Sequence, residues 1–332
     1  METQDNTSSA FEDEYNLDDR YEQLANDAYH RNHGRMVNQV NRTRGNQPSR
    51  KEILQNLVED NDLIEDFVPT YAAKLDPKHF ERRWVIGSLS GFWRDKIISD
   101  VLYQVKVGKE ANVYACEATE SSEHDLIAAK LYRPRMLRHL RNDAAYKIGR
   151  LSHDREGKKM KQSSRAQRAL KKKTKFGQDL DFSNWVGHEY RMQTELWEAG
   201  ADVPQPIAHS GTTILMAFCG NRSIAAATLN DVILESAEAQ PLFDKVIDNV
   251  RLMLSLNQVH GDLSSYNILY WQGEVTIIDF PQMVNAAGNP NSERFLRRDI
   301  QRVVDYFSQY GVKADGGEIA QTLWKDFMNA QL

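Results

Sequence analysis

The sequence predicts an α+β fold of two lobes, preceded by a helical extension. Three segments, 101–107, 126–132 and 212–218, are rich in residues that favour β-strands, whereas apolar residues in the last third of the chain recur at helical spacing. A chain of 332 residues of which 41% are hydrophobic is long enough to bury two cores. We therefore expect a strand-rich lobe over 99–217 and a helical lobe over 218–332.

The first hundred residues divide into an acidic tail and a helical extension. Residues 1–25 hold eight acids and one base, and branched apolar side chains are few up to Pro48, so we expect 1–48 to be disordered or loosely helical. Asp76-Pro77 predicts a helix start, because an N-cap acid precedes proline at the first helical position. The bulky apolar face that follows predicts that the extension, residues 49–98, packs on the strand-rich lobe.

The cysteine content and the hydropathy indicate the compartment. Cys116 and Cys219 are the two cysteines, which suits a reducing environment and gives no disulfide framework or zinc site. No apolar run approaches 18 residues, and the N-terminus is acidic and polar. We expect a cytoplasmic protein that makes no membrane contact.

The most informative stretch runs from His260 to Asp279. The acid of His260-Gly261-Asp262 is followed five positions later by Asn267, and a short apolar strand then ends in Asp279. Mg²⁺ prefers oxygen ligands and keeps several waters, so one carboxylate and one amide suffice beside phosphates. We interpret Asn267 and Asp279 as metal ligands and Asp262 as the residue that orients or deprotonates an attacking group. The alternative is a surface turn, and we expect His260 to pack the loop rather than act in catalysis.

The first lobe offers a glycine turn and a lysine within a strand. Gly108 and Lys109 fall between two strands, where glycine allows close approach to a nucleotide, although an ordinary hairpin explains the turn equally well. Lys130 stands in an otherwise apolar strand, which favours a phosphate anchor over a surface lysine.

A lysine on such a strand needs an acid to hold it. Ser183 as N-cap and Gly200 as stop predict a helix over 184–199. Glu189 lies at the centre of the apolar face of that helix, so we predict that it pairs with the lysine. Glu195, which lies off that face, is the alternative.

The strand over 212–218 ends where a nucleotide base would be met. Backbone groups of Ala217, Phe218 and Cys219 are candidates for hydrogen bonds to the edge of the base. Met216 is either the residue that borders the base or plain core.

These motifs resemble those of the RIO family of atypical protein kinases. The resemblance covers about 80–305 and rests on Gly108 to Tyr114, Ala128-x-Lys130, His260-x-Asp262 to Asn267, and Ile278 to Gln282. It implies a trimmed, two-lobed protein-kinase-like fold, ATP with Mg²⁺ (Mn²⁺ as an alternative metal), and serine phosphorylation or an ATPase-like cycle. It also implies that Asp279 can itself accept phosphate.

Carried over residue by residue, the resemblance makes Lys130 the phosphate anchor, Glu189 its partner, and Asp262 and Asp279 catalytic, with Asn267 and Asp279 on the metal. It places the following residues around the nucleotide: Gly108, Lys109, Val113, Ala128, Lys130, Met216, Ala217, Phe218, Cys219, Leu269 and Ile278. Ser264 replaces the usual lysine two positions after the catalytic aspartate, so Lys109 is our candidate for stabilising the γ-phosphate.

A basic insert over 150–182 separates the lysine strand from the helix of Glu189. Residues 155–175 hold ten bases and one acid. They form either a solvated mobile loop or a contact with the RNA backbone; base-specific reading is not expected, because aromatic residues are nearly missing. The resemblance implies an assembling small ribosomal subunit as the partner, with rRNA as the contact of 155–175.

Two other functions share the same motifs. Small-molecule kinases of the aminoglycoside or choline type have the loop, but the 53 residues after Asp279 look too few for their acceptor site. An ATP-gated RNA-binding module with little transferase activity is the third hypothesis.

Overall fold

The computed structural model describes residues 67–77, 79–108, 110–133 and 175–332, with side chains of the helix that starts at 175 described from 185. Several predictions therefore lie outside the described residues: the tail 1–48, the extension up to residue 66, Lys109, and the basic insert up to residue 174.

The strand-rich lobe is a five-stranded antiparallel sheet in the order β1-β2-β3-β5-β4. Its strands are β1 Ile98–Val107, β2 Ala111–Ala118, β3 Leu126–Tyr132, β4 Pro206–His209 and β5 Thr213–Ala217. Side chains alternate between the two faces of a strand. On β3, Ile127 and Leu131 join the apolar core on one face, and Ala128 and Lys130 take the opposite face, towards the helical lobe.

The first face of the sheet is covered by α2, Phe80–Arg94, which follows the short α1, Thr70–Ala73. Val85 and Leu89 of α2 are fully buried in the same cluster as the sheet residues Val101 and Tyr114. The predicted start of this helix at Asp76-Pro77 is wrong. The Asp76 carbonyl instead accepts the His79 N–H at 2.8 Å, forming a turn; the fixed φ of proline suits a turn as well as a first helical position.

The predicted helix over 184–199 is longer at its N-terminal end. It is described as α3, Lys175–Glu198, so Ser183 lies inside the helix and is not its N-cap. A serine tolerates a helix interior, so its preference for caps did not decide the boundary. Gly200, at φ +87°, ends the helix, and the Ala201 N–H bonds back to the Leu196 carbonyl at 3.0 Å. This left-handed glycine stop is as predicted.

The helical lobe is built on α4, Ser236–Ser255, α5, Ser292–Ser308, and α6, Gly316–Met328. Its short strands are β6 Ala227–Thr228, β7 Gln258–Val259, β8 Ile268–Trp271, β9 Glu274–Ile277 and β10 Val284–Asn285, which form the sheets β6-β8-β9 and β7-β10. A single 3₁₀ turn occupies Leu229–Asp231, and Pro241 lies inside α4, whose N-terminus is fixed by a capping box of Glu235 and Glu238.

The core of this lobe supports the loop between β7 and β8. Leu263 and Ile268 are buried with Val246 and Met253 of α4 and Ile300 of α5. The predicted fold class, α+β with two lobes and a helix N-terminal to the sheet, is confirmed. None of the described helices combines the length and apolar character that a membrane crossing requires.

Candidate nucleotide and metal site

A cavity of about 600 Å³ lies between the five-stranded sheet and the loops of the helical lobe. Almost all of the predicted site residues that the structure describes line it: Gly108, Val113, Ala128, Lys130, Glu189, Met216, Ala217, Phe218, Cys219, Asn267, Leu269, Ile278 and Asp279. Asp262 is the exception, and Lys109 lies outside the described residues. Residues separated by up to 171 positions in the sequence are thus brought to one cavity.

Lys130 joins the two lobes at the back of this cavity. Its Nζ lies 2.7 Å from Glu189 Oε1 on α3 and 2.6 Å from Asp279 Oδ1 in the helical lobe. The side chain of Glu189 is 1% exposed, that of Lys130 14% and that of Asp279 41%. Lys130 therefore pairs with Glu189 and not with Glu195. Its second partner is the carboxylate of Asp279, which lines the cavity.

Lys130 and Asp279 keep each other ionised. Burial alone would lower the pKa of Lys130, but the carboxylates of Asp279 and Glu189 outweigh it and hold that pKa well above its usual value. Burial likewise opposes the charge on Asp279, and Lys130 more than compensates, so the pKa of Asp279 is lowered. At neutral pH Lys130 is therefore a cation and Asp279 an anion.

Sequence reasoning missed Tyr132, which completes the cluster. Its hydroxyl donates to Glu189 Oε2, and its ring lies 5.2 Å from Lys130 Nζ. Burial, followed by the charge of Glu189, raises the pKa of Tyr132, so the hydroxyl keeps its proton. Side chains two residues apart lie on the same face of a strand, so the sequence could have predicted that Tyr132 lies beside Lys130 on β3.

His260 holds the loop to the strand that carries Asp279. Its Nδ1 accepts the Asp262 N–H at 3.3 Å and its Nε2 lies 3.2 Å from the Ile278 carbonyl. A backbone N–H can only donate and a carbonyl can only accept, so the neutral tautomer protonated at Nε2 satisfies both contacts. The ring is 3% exposed and packs on Phe280 at 5.5 Å between centroids, which is the packing role expected for it.

A second support of the loop, also missed, comes from α5. Asp299 is 2% exposed, and its Oδ2 accepts the Gly261 N–H at 2.7 Å. Arg298 pairs with Asp299 at 3.2 Å and donates to the Gly261 carbonyl. Burial raises the pKa of Asp299, and the charged Arg298 guanidinium acts in the opposite direction. Both backbone groups of Gly261 are thereby tied to one helix.

Asp279 has an unusual backbone conformation. Its φ is +74°, in the left-handed region that non-glycine residues rarely adopt, and Phe280, 1% exposed, anchors the next position in the core. The Ile278 N–H donates to the Asn267 carbonyl at 2.9 Å. Such strain concentrates at functional sites, and here it accompanies an aspartate that lines the cavity.

The donor groups fit a magnesium ion. The Asn267 amide nitrogen donates to the Asp262 carbonyl at 2.9 Å, which turns its Oδ1 away from that contact. Together with the Asp279 carboxylate this gives hard oxygen ligands, and Mg²⁺ completes its shell with water and phosphate. The described residues contain no group of three or more His, Cys, Asp or Glu that would hold a metal on protein ligands alone, so the site suits a metal brought with phosphates.

Asp262 lies beside the cavity rather than in its wall. Its Oδ1 is 2.9 Å from Nη1 of Arg302 on α5, and the two side chains are 37% and 42% exposed. Arg302 was not predicted, because the pair joins residues 40 positions apart in the sequence. The Asp262 carboxylate therefore faces solvent at the mouth of the site, and its backbone carbonyl accepts a hydrogen bond from the Asn267 amide.

Two glycines have no room for a side chain: Gly108, which lines the cavity, and Gly220, which follows the lining residue Cys219. A Cβ at Gly108 would meet the Ala111 carbonyl oxygen at 2.6 Å, and one at Gly220, whose φ is +132°, would meet the Ile224 carbonyl oxygen at 2.4 Å. Between β5 and Gly220, the Ala217 N–H bonds to the Gln205 carbonyl at 2.8 Å and the Cys219 carbonyl accepts the Ala226 N–H at 2.9 Å. These bonds fix the segment that links the lobes.

The sheet lobe, the helical lobe and the lysine that bridges them across a cavity define the protein-kinase-like class. The family model for the RIO domain matches residues 112–319, which is more than half of the chain. The chain belongs to the RIO family. The resemblance found in its motifs is thereby confirmed. So is the enzyme class that it implied, because the relatives are named RIO-type serine/threonine-protein kinases.

Two relatives and one solved structure are similar to this chain. The RIO-type serine/threonine-protein kinase Rio1 of Haloferax volcanii is 31% identical over 226 residues, 67% of this chain and 68% of its own length. Rio1 of Thermoplasma acidophilum is 33% identical over 141 residues, 42% of this chain and 73% of its own. A crystal structure of the Rio2 kinase–ADP/Mg²⁺–phosphoaspartate complex from Chaetomium thermophilum aligns with a TM-score of 0.49 and 18% identity, covering 83% of this chain and 89% of that one.

Proposed function

We propose that this chain binds ATP with Mg²⁺ and transfers the γ-phosphoryl group to a serine or threonine hydroxyl or, in an ATPase-like cycle, to water. The observation that carries the proposal is the contact of 2.6 Å between Lys130 of the sheet and Asp279 of the helical lobe. It places a cation and a carboxylate from opposite lobes in one cavity, which the glycine turn at Gly108 also lines.

The triphosphate would lie along Lys130 and the turn at Gly108. Glu189 holds the lysine at 2.7 Å, so its charge is positioned before the nucleotide arrives and little reorganisation is required. Lys106, exposed on β1, also lines the cavity and contributes to the lowered pKa of Asp279. With Ser264 at the usual lysine position and Lys109 not described, Lys106 is a second candidate for neutralising the phosphates.

The adenine end would lie against the link between the lobes. Ala128, Leu269 and Ile278 supply apolar walls, and Met216 to Cys219 supply the edge. Asp231 also lines the cavity, and its Oδ2 accepts the Thr228 hydroxyl at 2.7 Å, which leaves the other oxygen of the carboxylate for the ribose hydroxyls.

Asn267 and Asp279 would hold Mg²⁺, or Mn²⁺ in its place. The metal supplies neutralisation of the phosphate charge that builds up during transfer. Asp262 would orient the attacking hydroxyl, or accept its proton, from the mouth of the site, where its carboxylate is 37% exposed. Positioning and charge neutralisation supply most of the expected rate.

Family membership favours a protein acceptor over a small alcohol. The proposed setting is assembly of the small ribosomal subunit in the cytoplasm, with the ten bases of 155–175 on the phosphate backbone of rRNA. The family resemblance and the positive charge of 155–175 support this setting.

Incubation with γ-labelled ATP tests the activity. We expect label on the protein, on an added protein substrate, or as free phosphate, all dependent on Mg²⁺. Asp279→Ala should abolish turnover, and Asp262→Ala should bind ATP but lose transfer. Turnover by Asp279→Ala at the wild-type rate would reject the assignment, and label on small alcohols alone would favour a small-molecule kinase.

A further inference from the structure

A buried polar network begins at Glu81 of the N-terminal helix α2. The Glu81 side chain is 5% exposed, and its Oε1 accepts three hydrogen bonds: from the Tyr71 hydroxyl at 2.9 Å, from Gln104 Nε2 at 2.7 Å and from the Tyr114 hydroxyl at 2.7 Å. Three neutral donors converge on one carboxylate oxygen in the core between α2 and the sheet. Burial of a carboxylate is costly, and the three hydrogen bonds offset that cost and make the network rigid.

The network has a direction, because each hydroxyl must donate to the carboxylate. Burial and the charge of Glu81 raise the pKa of Tyr114, so its hydroxyl stays protonated and its single proton goes to Glu81. The Tyr114 oxygen is then an acceptor for Asn112, whose Nδ2 lies 3.2 Å away. This fixes the orientation of the Asn112 amide, which is fully buried.

The amide oxygen of Asn112 consequently faces the glycine turn. It accepts the Gly108 N–H at 3.4 Å and two N–H groups of Arg133 at 3.2 and 3.3 Å. Across the same turn, the Arg133 N–H bonds to the Glu110 carbonyl at 2.9 Å. Gly108 has no room for a Cβ beside Ala111, so the turn closes tightly on these contacts.

We infer that Asn112 is a positioning residue for the turn that covers the nucleotide phosphates, and that Glu81 and Tyr114 of the buried network hold it in place. Gly108, Glu110 and Ala111 of the turn line the cavity. Asn112, Tyr114 and Glu81 are also described, but they do not line it. The network would therefore influence phosphate binding indirectly, by fixing the backbone of the turn. It also makes the N-terminal helix a part of the nucleotide site. The inference rests on the proposed nucleotide function.

The central test compares two tyrosine-to-phenylalanine variants in the same sheet. Tyr114→Phe removes the hydroxyl that links Glu81 to Asn112. Tyr103→Phe is the matched control, because the Tyr103 hydroxyl is buried with no hydrogen-bond partner in the described structure. Binding of ATP·Mg²⁺ and of adenosine to the full chain is measured by calorimetry well below each melting temperature.

We expect Tyr114→Phe to weaken ATP·Mg²⁺ binding about five- to tenfold, the effect of one lost hydrogen bond, and to leave adenosine binding unchanged. Tyr103→Phe should leave both unchanged. Equal ATP affinity in the two variants would overturn the inference, and so would an equal loss for ATP and adenosine, which would indicate general damage to the site. If the wild type binds no ATP·Mg²⁺, the proposed function is wrong, and the inference that rests on it is wrong as well.

A double substitution tests whether the residues act in series. Asn112→Ala should weaken ATP·Mg²⁺ binding at least as much as Tyr114→Phe, and the double variant should be no weaker than Asn112→Ala alone, because Tyr114 acts only through Asn112. Glu81→Gln keeps an acceptor oxygen and should restore most of the affinity that Glu81→Leu loses. Multiplying effects of the Asn112 and Tyr114 substitutions would contradict a single chain of contacts.

Discussion

The ammonium group of Lys130 and the carboxylate of Asp279, 149 residues apart in sequence, lie 2.6 Å from each other. Oε1 of Glu189 lies 2.7 Å from the same ammonium group. A nucleotide that brings Mg²⁺ must separate Lys130 from Asp279, since the first would turn to the phosphates and the second to the metal. The ion pair thus holds both residues in place for the ligand that would replace it.

The pH dependence of stability reports on this ion pair. The lowered pKa of Asp279 adds stability that is present above about pH 4 and is lost as the pH falls through the folded value. The raised pKa of Lys130 adds stability that is present below about pH 10 and is lost only above it. In Mg²⁺-free buffer, the difference in unfolding free energy between wild type and Lys130→Met should be constant from about pH 5 to 9 and shrink below pH 4. A change centred between pH 6 and 8 would contradict the assignment.

Removing the Tyr132 hydroxyl should impair both stability and turnover. Tyr132→Phe leaves the buried Oε2 of Glu189 without its donor, at a cost of about 1–3 kcal/mol, and loosens the acid that positions Lys130. We expect a lower melting temperature and a kcat reduced about fivefold. The control is Tyr270→Phe, which removes a hydroxyl bonded to Glu238 at 2.7 Å in the helical lobe. The same ATP turnover in both variants would exclude a role for Tyr132.

Arg302 should matter for transfer and not for ATP binding. Its pair with Asp262 is exposed, so it contributes at most about 1 kcal/mol to stability. Arg302→Ala removes the contact that orients the Asp262 carboxylate, so kcat should fall about tenfold while the KM for ATP stays unchanged. Arg297→Ala is the matched control, because Arg297 forms an equally exposed pair with Glu293 on the same helix. An unchanged kcat in Arg302→Ala would show that the pair of Arg302 and Asp262 has no role in transfer.

The main groups of the site could be predicted from the sequence because each is chemically conspicuous. A single lysine in an apolar strand, and one acid centred on a helix face, identified Lys130 and Glu189. The spacing of Asn267 and Asp279 indicated hard ligands at the end of a strand. These signals are local, and they survive errors in helix boundaries such as those at Asp76 and Ser183.

The supporting contacts could not be predicted in the same way. In the sequence, Asn112 is one residue of the motif from Gly108 to Tyr114, and Glu81 is a charged residue in a helical segment with an apolar face. Their link through Tyr114 depends on how α2 packs on the sheet. Arg302 and Asp299 belong to a helix whose orientation relative to the loop is set by the core of the lobe. Side chains that act through others leave no spacing pattern.

The most direct measurement is ATP binding by calorimetry with Mg²⁺ and with EDTA, for wild type, Asp279→Ala and the exposed control Asp305→Ala. We expect Mg²⁺ to strengthen ATP binding at least about tenfold in wild type and in Asp305→Ala, because the metal links the phosphates to Asp279. In Asp279→Ala this gain should disappear. A full Mg²⁺-dependent gain in Asp279→Ala would contradict the claim that Lys130 and Asp279 together form a magnesium–nucleotide site.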